Sequence, residues 1–260
     1  MNTAESQIPP DAAVKTDSSK SVIEIKGLEK SFGDQKVLNG ISLNLYDGEN
    51  LVILGRSGTG KSVLIKCIIG LLIPDAGKIT VFGQDVNALD SRQLNELRQK
   101  VGFLFQNGAL YDSMTVRQNL EFSLRRIKRQ LTEKEITDKV HEVLENVGLA
   151  DQIDKTPAQL SGGMQKRISL ARTIIVDPSI MLYDEPTTGL DPITSVEISD
   201  LINDVRKKYK TSSIVITHDI KCARSTASRV IMVKDGTVYK EGMLEEFEKS
   251  SDPVISDFFK

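Results

Sequence analysis

Runs of apolar residues with two different spacings divide the chain. Val22-Ile23-Glu24-Ile25 alternates as a strand does, and Val37-Leu38 with Ile41-Ser42-Leu43-Asn44-Leu45 continues the same character up to a turn at Asp47-Gly48. An early β-rich layer is therefore expected. Leu51-Val52-Ile53-Leu54 is an unbroken apolar run of strand length, which predicts a buried strand, and Val63–Ile69 predicts a helix after a glycine-rich gap. Further strands are expected at Lys78–Phe82, Val101–Phe105, Ser179–Asp184 and Ser213–Thr217, and Val230–Val233 and Thr237–Tyr239 flank the hairpin signal Asp235-Gly236.

Helical spacing fills the intervals. Asp90 is placed to cap a helix over about 91–100, and Thr115 to cap one running through Leu124. Thr132-Glu133-Lys134-Glu135 reads as a capping box. The helix it opens carries Ile136, Val140, Val143, Leu144 and Val147 at the 3.6-residue period and stops at Gly148. Ser161 is placed like the cap of a helix over Gln165–Ile175. From about residue 106 to 175 the chain thus reads as a helical lobe inserted into an α/β core, within one unit covering 21–243. Residues 1–20 are polar, contain Pro9-Pro10 and read as a disordered lead-in. The tail, 244–260, mixes acids with Phe247, Val254, Ile255, Phe258 and Phe259; it fits either a docking segment for another chain or a helix closing its own core.

Composition changes this picture little. The 260 residues are 39% hydrophobic and 27% charged with a net charge of −2, which suits a globular protein and gives no basis for nucleic-acid binding. The longest apolar run, near Ile65–Ile73, is interrupted by Lys66 and ends at Pro74, too short to cross a bilayer. Cys67 and Cys222 lie far apart without metal-ligand spacing, as in a reduced compartment. The basic run Arg125-Arg126-Ile127-Lys128-Arg129 reads as a solvated helix face rather than a lipid-headgroup contact, and His141 has no partner in the sequence.

Candidate chemistry centres on Gly55-Arg56-Ser57-Gly58-Thr59-Gly60-Lys61-Ser62, which fits the phosphate-loop pattern between a strand and a helix. Glycines there let backbone N–H groups converge on a polyphosphate at a helix amino end; Lys61 would reach the β and γ phosphates, and Ser62 would offer its hydroxyl to Mg²⁺. Four other residues stand at strand ends, where α/β sheets place ligands: Gln106 after one apolar run, Asp184 and Glu185 after the next, and His218 after the last. Asp184 suits a metal shell, Glu185 the orientation or deprotonation of water, and His218 a γ-phosphate contact. Phe32 offers either an aromatic platform for a base or ordinary core packing. Ser161-Gly162-Gly163 forms a second anion-suited helix start, and this redundancy suggests that it serves a nucleotide held by another copy.

The ordered set of phosphate loop, Gln106, Leu160-Ser161-Gly162-Gly163-Met164, Met181–Pro186, Thr188-Gly189-Leu190-Asp191 and His218 resembles the ATP-binding subunit of an ABC transporter over about residues 22–243. The resemblance implies a P-loop NTPase core with an amino-terminal antiparallel β layer and an inserted α-helical subdomain. It implies ATP and Mg²⁺, with Phe32 stacking on adenine, Gly55 to Ser62 on the phosphates, Gln106 on Mg²⁺ and the permease, and Ser62 and Asp184 on the metal. Glu185 becomes the catalytic base, His218 the switch histidine, Ser161 to Gly163 the signature loop and Asp191 the D-loop. Two copies would close head to tail on two ATP molecules. Met164 departs from the glutamine usual at its position.

Phe105–Ser113, that methionine and Asp191-Pro192-Ile193-Thr194 are similar to the MlaF branch, which serves MCE-type phospholipid transport and membrane lipid asymmetry. This finer resemblance implies a cytoplasmic ATPase on the inner face of the membrane. Its expected partners are an MlaE-like integral permease, an MCE-domain lipid-binding protein and a STAS-domain subunit. The alternatives are an ATPase of a small-solute or amino-acid importer and a non-transport ABC switch such as a cell-division regulator.

Overall fold

The computed structural model describes residues 20–106 and 108–259; the expected lead-in, apart from Lys20, and Asn107 lie outside them. Two sheets are present among the described residues. One is antiparallel, in the order β2-β1-β4-β5, from β1 (Ser21–Phe32), β2 (Gln35–Tyr46), β4 (Ala76–Val81) and β5 (Gln84–Asp85). The other runs β10-β9-β3-β8-β7-β6, from β3 (Asn50–Leu54), β6 (Val101–Leu104), β7 (Ile180–Asp184), β8 (Ser212–Thr217), β9 (Arg229–Lys234) and β10 (Thr237–Gly242). Its strands pair in parallel except β10, which is antiparallel to β9.

Burial explains the unbroken apolar run in β3. Leu51 and Ile53 face one hydrophobic cluster, Val52 and Leu54 face another, and all four are fully buried. A parallel sheet covered on both faces requires strands of this kind. The first cluster lies between the two sheets and includes Leu64, Ile65 and Ile68 of α1 (Lys61–Ile68), a helix that touches β2 and β4 on one side and β7 on the other. The second joins the far face of the parallel sheet to the remaining helices: α3 (Val116–Ile127), α4 (Glu133–Asn146), α5 (Gly162–Ile174), α6 (Pro192–Tyr209) and α7 (Ile220–Thr226). α2 (Ser91–Arg98) packs beside β6 and adds Leu97 to the first cluster.

The capping signals act as their chemistry requires. Asp90, Thr115 and Thr132 each accept a backbone N–H in the first turn of α2, α3 and α4, with a reciprocal glutamine or glutamate bond completing each box. Several boundaries differ from expectation by a few residues, and two of the differences have a visible cause. α3 continues past Leu124 to Ile127, because Arg125 is held by Glu121 at 3.1 Å and by Glu133 at 2.5 Å, which also makes the basic run an ion-paired, solvated face. α5 begins at Gly162 rather than Gln165: the Ser161 hydroxyl accepts the Met164 N–H at 3.3 Å, so both glycines lie inside the first turn.

Two further ties fix the periphery. Arg229, at the start of β9, donates to Glu49 at 2.7 Å, to the carbonyl oxygen of Asn44 in β2 at 2.6 Å and to Glu241 in β10, joining both sheets. The tail forms α8 (Leu244–Glu248) and α9 (Pro253–Phe259), whose Phe247 and Ile255 are buried in the second cluster. Of the two readings of this tail, burial of those side chains in the chain's own core matches the second.

Candidate functional site

The loop between β3 and α1 owes its shape to glycine. Gly58 and Gly60 have φ of 82° and 91°, in the left-handed region, and a Cβ on Gly60 would lie 2.8 Å from the carbonyl oxygen of Val37. Gly60 therefore serves as the amino cap of α1 without a side chain, leaving the first-turn N–H groups of the helix facing the loop. Lys61 and Ser62 open the helix. The buried Lys61 ammonium donates to the carbonyl oxygens of Gly55 at 2.8 Å and Arg56 at 2.9 Å, and lies 3.8 Å from Glu185 Oε1. Burial lowers its pKa, against the raising influence of Glu185 and Asp184.

β7 brings the two acids to this loop. The Ser62 hydroxyl donates to Asp184 Oδ1 at 2.8 Å. Burial pushes the Asp184 carboxyl up from its ordinary value, while the Ser62 hydrogen bond and the charges of Lys66 and Lys61 pull the other way. Glu185 leaves the strand with φ of 50°, a conformation that costs a residue with a Cβ about 1–3 kcal/mol. Its N–H still donates to the Ile216 carbonyl at 2.9 Å, so the sheet holds this turn in place. The Glu185 carboxylate is consequently directed at β8's far end: Oε2 meets His218 Nδ1 at 2.8 Å and accepts the Thr188 hydroxyl at 3.2 Å. His218 is half exposed and Glu185 nearly buried, so one end of the pair is sequestered and the other open.

A cleft of about 310 Å³ collects eight of the expected residues: Ser57, Gly58, Gly60, Lys61, Ser62, Gln106, Glu185 and His218 line it. Asp184 reaches it through Ser62. The Ser62 hydroxyl and Asp184 carboxylate are hard oxygen donors, and a buried carboxylate under desolvation is the group a divalent cation would stabilise, so the pair fits Mg²⁺. No cluster of three or more His, Cys, Asp or Glu side chains suited to a metal occurs among the described residues.

Other expected residues stand apart. Phe32 is 48% exposed at the end of β1, with the Lys30 ammonium 5.6 Å from its ring centre, so core packing does not account for it. Gly55, Arg56 and Thr59 line a separate cleft on the other side of the loop, shared with Val254 and Phe258 of α9. Ser161 and Gly162 are exposed and Gly163 half-buried, and none of the three lines the 310 Å³ cleft. Asp191, also outside it, caps α6 by accepting the N–H groups of Ile193 and Thr194, each at 3.0 Å.

Two further residues neighbour the site: Thr188, read in the sequence only as part of a motif and without a role of its own, and Lys166, which no motif marks. Thr188 holds Glu185, as described. Lys166 is 5% exposed on α5, donates to the Gln106 carbonyl oxygen and has its pKa lowered by burial, with Asp184 and Glu185 opposing. A lysine four residues before Leu170 and eight before Ile174, both fully buried, occupies a core-facing position of the helix, and that spacing is the signal that marks it.

A phosphate loop closing on two acids and a histidine at adjacent strand ends defines a P-loop nucleoside triphosphatase, and comparison with known proteins narrows the class. The ABC transporter family model matches residues 38–188, and the chain belongs to that family as an ATP-binding subunit, an ATPase coupled to transport. It is 40% identical over 236 residues to a probable ribonucleotide transport ATP-binding protein of Mycobacterium leprae, covering 91% of this chain and 68% of that one. It is 36% identical over 257 residues to the chloroplastic protein trigalactosyldiacylglycerol 3 of Arabidopsis thaliana, covering 92% and 74%. To the methionine import ATP-binding protein of Brucella abortus it is 37% identical over 244 residues, covering 94% of this chain and 66% of that relative.

Solved structures agree with the fold. A dimeric ATP-binding cassette in a post-hydrolysis state bound to ADP and Pi superposes with a TM-score of 0.78 at 32% identity, covering 85% of this chain and 98% of that one. A component of the cbiONQ ABC transporter complex of Clostridium perfringens gives 0.81 at 28%, covering 92% and 95%.

Proposed function

We propose that this chain is the ATPase of an MCE-type phospholipid transporter of the MlaF kind. In this reading it pairs with a second copy beneath an MlaE-like permease, beside an MCE-domain lipid-binding protein and a STAS-domain subunit. The observation that carries the ATPase chemistry is the convergence of Lys61, Ser62, Asp184, Glu185 and His218 on one loop. Lys61 turns from the carbonyl oxygens it now holds to the β and γ phosphates of ATP, where its charge meets the charge that develops in phosphoryl transfer. Ser62 and Asp184 would hold Mg²⁺, which supplies Lewis-acid neutralisation of the phosphate oxygens when bound. Glu185, aimed by His218 and Thr188, accepts the proton of the attacking water, and His218 keeps an open edge toward the γ-phosphate. Gln106 lines the same cleft on the side of the helical lobe and would read Mg²⁺ and the permease. Phe32, exposed at a strand end, is free to stack on adenine.

Pairing is supported by what one copy's cleft leaves out. Ser161, Gly162 and Gly163 have helix-start chemistry suited to a phosphate yet stand, like Asp191, outside the 310 Å³ cleft of their own chain. Among the described residues no helix is long and apolar enough to cross a membrane, so a separate permease would supply the passage.

The phospholipid cargo is favoured by the Phe105–Ser113, Met164 and Asp191–Thr194 segments and by the Arabidopsis relative, whose name is that of a glycosylated diacylglycerol. The Brucella relative favours a second reading, an amino-acid importer. Capture of the chain from membranes with its permease, followed by mass spectrometry of the partners and of bound small molecules, separates them. The lipid reading expects an MCE-domain protein and phospholipid. A periplasmic amino-acid-binding protein in their place would overturn it.

A further inference from the structure

Gly163 has a steric reason to be glycine that lies inside its own chain. A Cβ there would fall 2.5 Å from Thr194 Cγ2 on α6, whereas a Cβ on Gly162 meets nothing nearer than Leu190 at 4.0 Å. The threonine methyl cannot simply swing aside. Thr194 Oγ1 donates to Asp191 Oδ2 at 2.6 Å, the other oxygen of the same carboxylate caps α6, and rotating the side chain would break the first of these bonds. One turn further along both helices, Arg167 of α5 donates to Glu197 of α6, so the two helix starts are joined a second time.

We propose that Thr194 is a positioning residue that keys the Ser161–Gly163 loop to the Asp191 loop, so that both reach a second copy's nucleotide as one rigid piece. This rests on the reading of those loops as nucleotide-facing. The Asp191 carboxylate fixes the threonine rotamer, the rotamer presents a methyl, and the methyl accepts only a glycine opposite. A displacement of Asp191 is thereby passed to the first turn of α5 through direct contact.

The test uses the full chain carrying Glu185→Gln, with Mg²⁺ and ATP titrated against self-association, in four forms: no further change, Gly163→Ala, Thr194→Ser, and both. Serine keeps the hydroxyl bond to Asp191 and removes the methyl. Gly163→Ala is expected to raise the ATP concentration for half-maximal pairing by about tenfold or more, as overpacking of a close contact does, and addition of Thr194→Ser to bring it back within about threefold. An unchanged requirement in Gly163→Ala, or the same defect with and without Thr194→Ser, would overturn the proposal. Thermal melting of the four forms without nucleotide separates packing from positioning: if the serine restores the melting temperature while the ATP requirement stays raised, Thr194 is only a packing residue and the proposal fails. If the form without further change does not pair, the nucleotide-facing reading itself fails before the four forms can differ, and the proposal falls with it.

Discussion

Lys61 and Asp184 are both buried, and burial disfavours the charged form of each: the pKa of the lysine is lowered and that of the aspartate raised. The linkage follows from these directions. Between its lowered folded pKa and the ordinary lysine value, folded Lys61 binds fewer protons than the unfolded chain, so its contribution to stability improves as pH rises through that window. Asp184 behaves oppositely, binding more protons when folded, so its contribution worsens as pH rises from the ordinary aspartate value through the raised one. For each group, burial sets a cost on the charged form in the free protein. Lys61→Met removes the desolvation cost of the lysine but also the cation beside Glu185 and Asp184, so its clear signature is in binding: ATP affinity should fall at least about tenfold, since charged hydrogen bonds to phosphate contribute about 1.5–3 kcal/mol each. Asp184→Asn should retain the Ser62 hydrogen bond through the amide oxygen and weaken Mg²⁺ dependence. Nucleotide titration with and without Mg²⁺ checks both; unchanged ATP affinity in Lys61→Met, or unchanged Mg²⁺ dependence in Asp184→Asn, would contradict the assigned roles. These residues were legible in the sequence because pattern and position coincided. Lys166 was not, since its partner, the Gln106 carbonyl, lies 60 residues away, and the role of Thr188, although the residue stands in a motif, depends on the turn that brings its hydroxyl to the Glu185 carboxylate.

Among the elements, Arg229 does for the two sheets what caps do for helices. Its side chain is 9% exposed and that of its Glu49 partner only 11%, so removing the arginine alone leaves a nearly buried carboxylate without its cation. Arg229→Met should cost about 3 kcal/mol, the range for breaking one side of a buried pair, and Arg229→Met with Glu49→Gln should cost less. Denaturant unfolding of both variants tests this; equal losses would mean that packing of the side chain, not the charge, matters. Strand positions were readable along the chain because β3, β7 and β8 each carry an unbroken apolar stretch of three or more residues and are covered on both faces. Helix ends were less so. α3 extends by one turn through ion pairs that join it to Glu133 on α4, and α5 starts three residues early because Ser161 caps the helix ahead of both glycines.

At the scale of the whole molecule, the tail belongs to the core of its own chain. Phe247 is fully buried and Ile255 nearly so, in the cluster that also contains Cys222, Val230 and Met232. Phe247→Ala should cost about 3 kcal/mol by cavity formation, and cutting the chain after Gly242 more. If either change left the melting temperature intact, the tail would not be part of this core. The order of the two sheets was not written in the sequence, because β4, β3 and β9 find their partners across separations that no local pattern encodes. Pairing of copies was inferred from the second anion-suited helix start, and in the fold that helix start stands apart from the cleft lined by Lys61, Glu185 and His218. The most direct measurement is the mass in solution of Glu185→Gln with and without Mg²⁺ and ATP, beside hydrolysis by the parent. Loss of the proton acceptor should slow turnover by about 10²–10⁴-fold while nucleotide still binds. The account predicts a single copy without ATP and a persistent pair with it; a variant that binds ATP yet stays single, or turns over at the parent's rate, would contradict it.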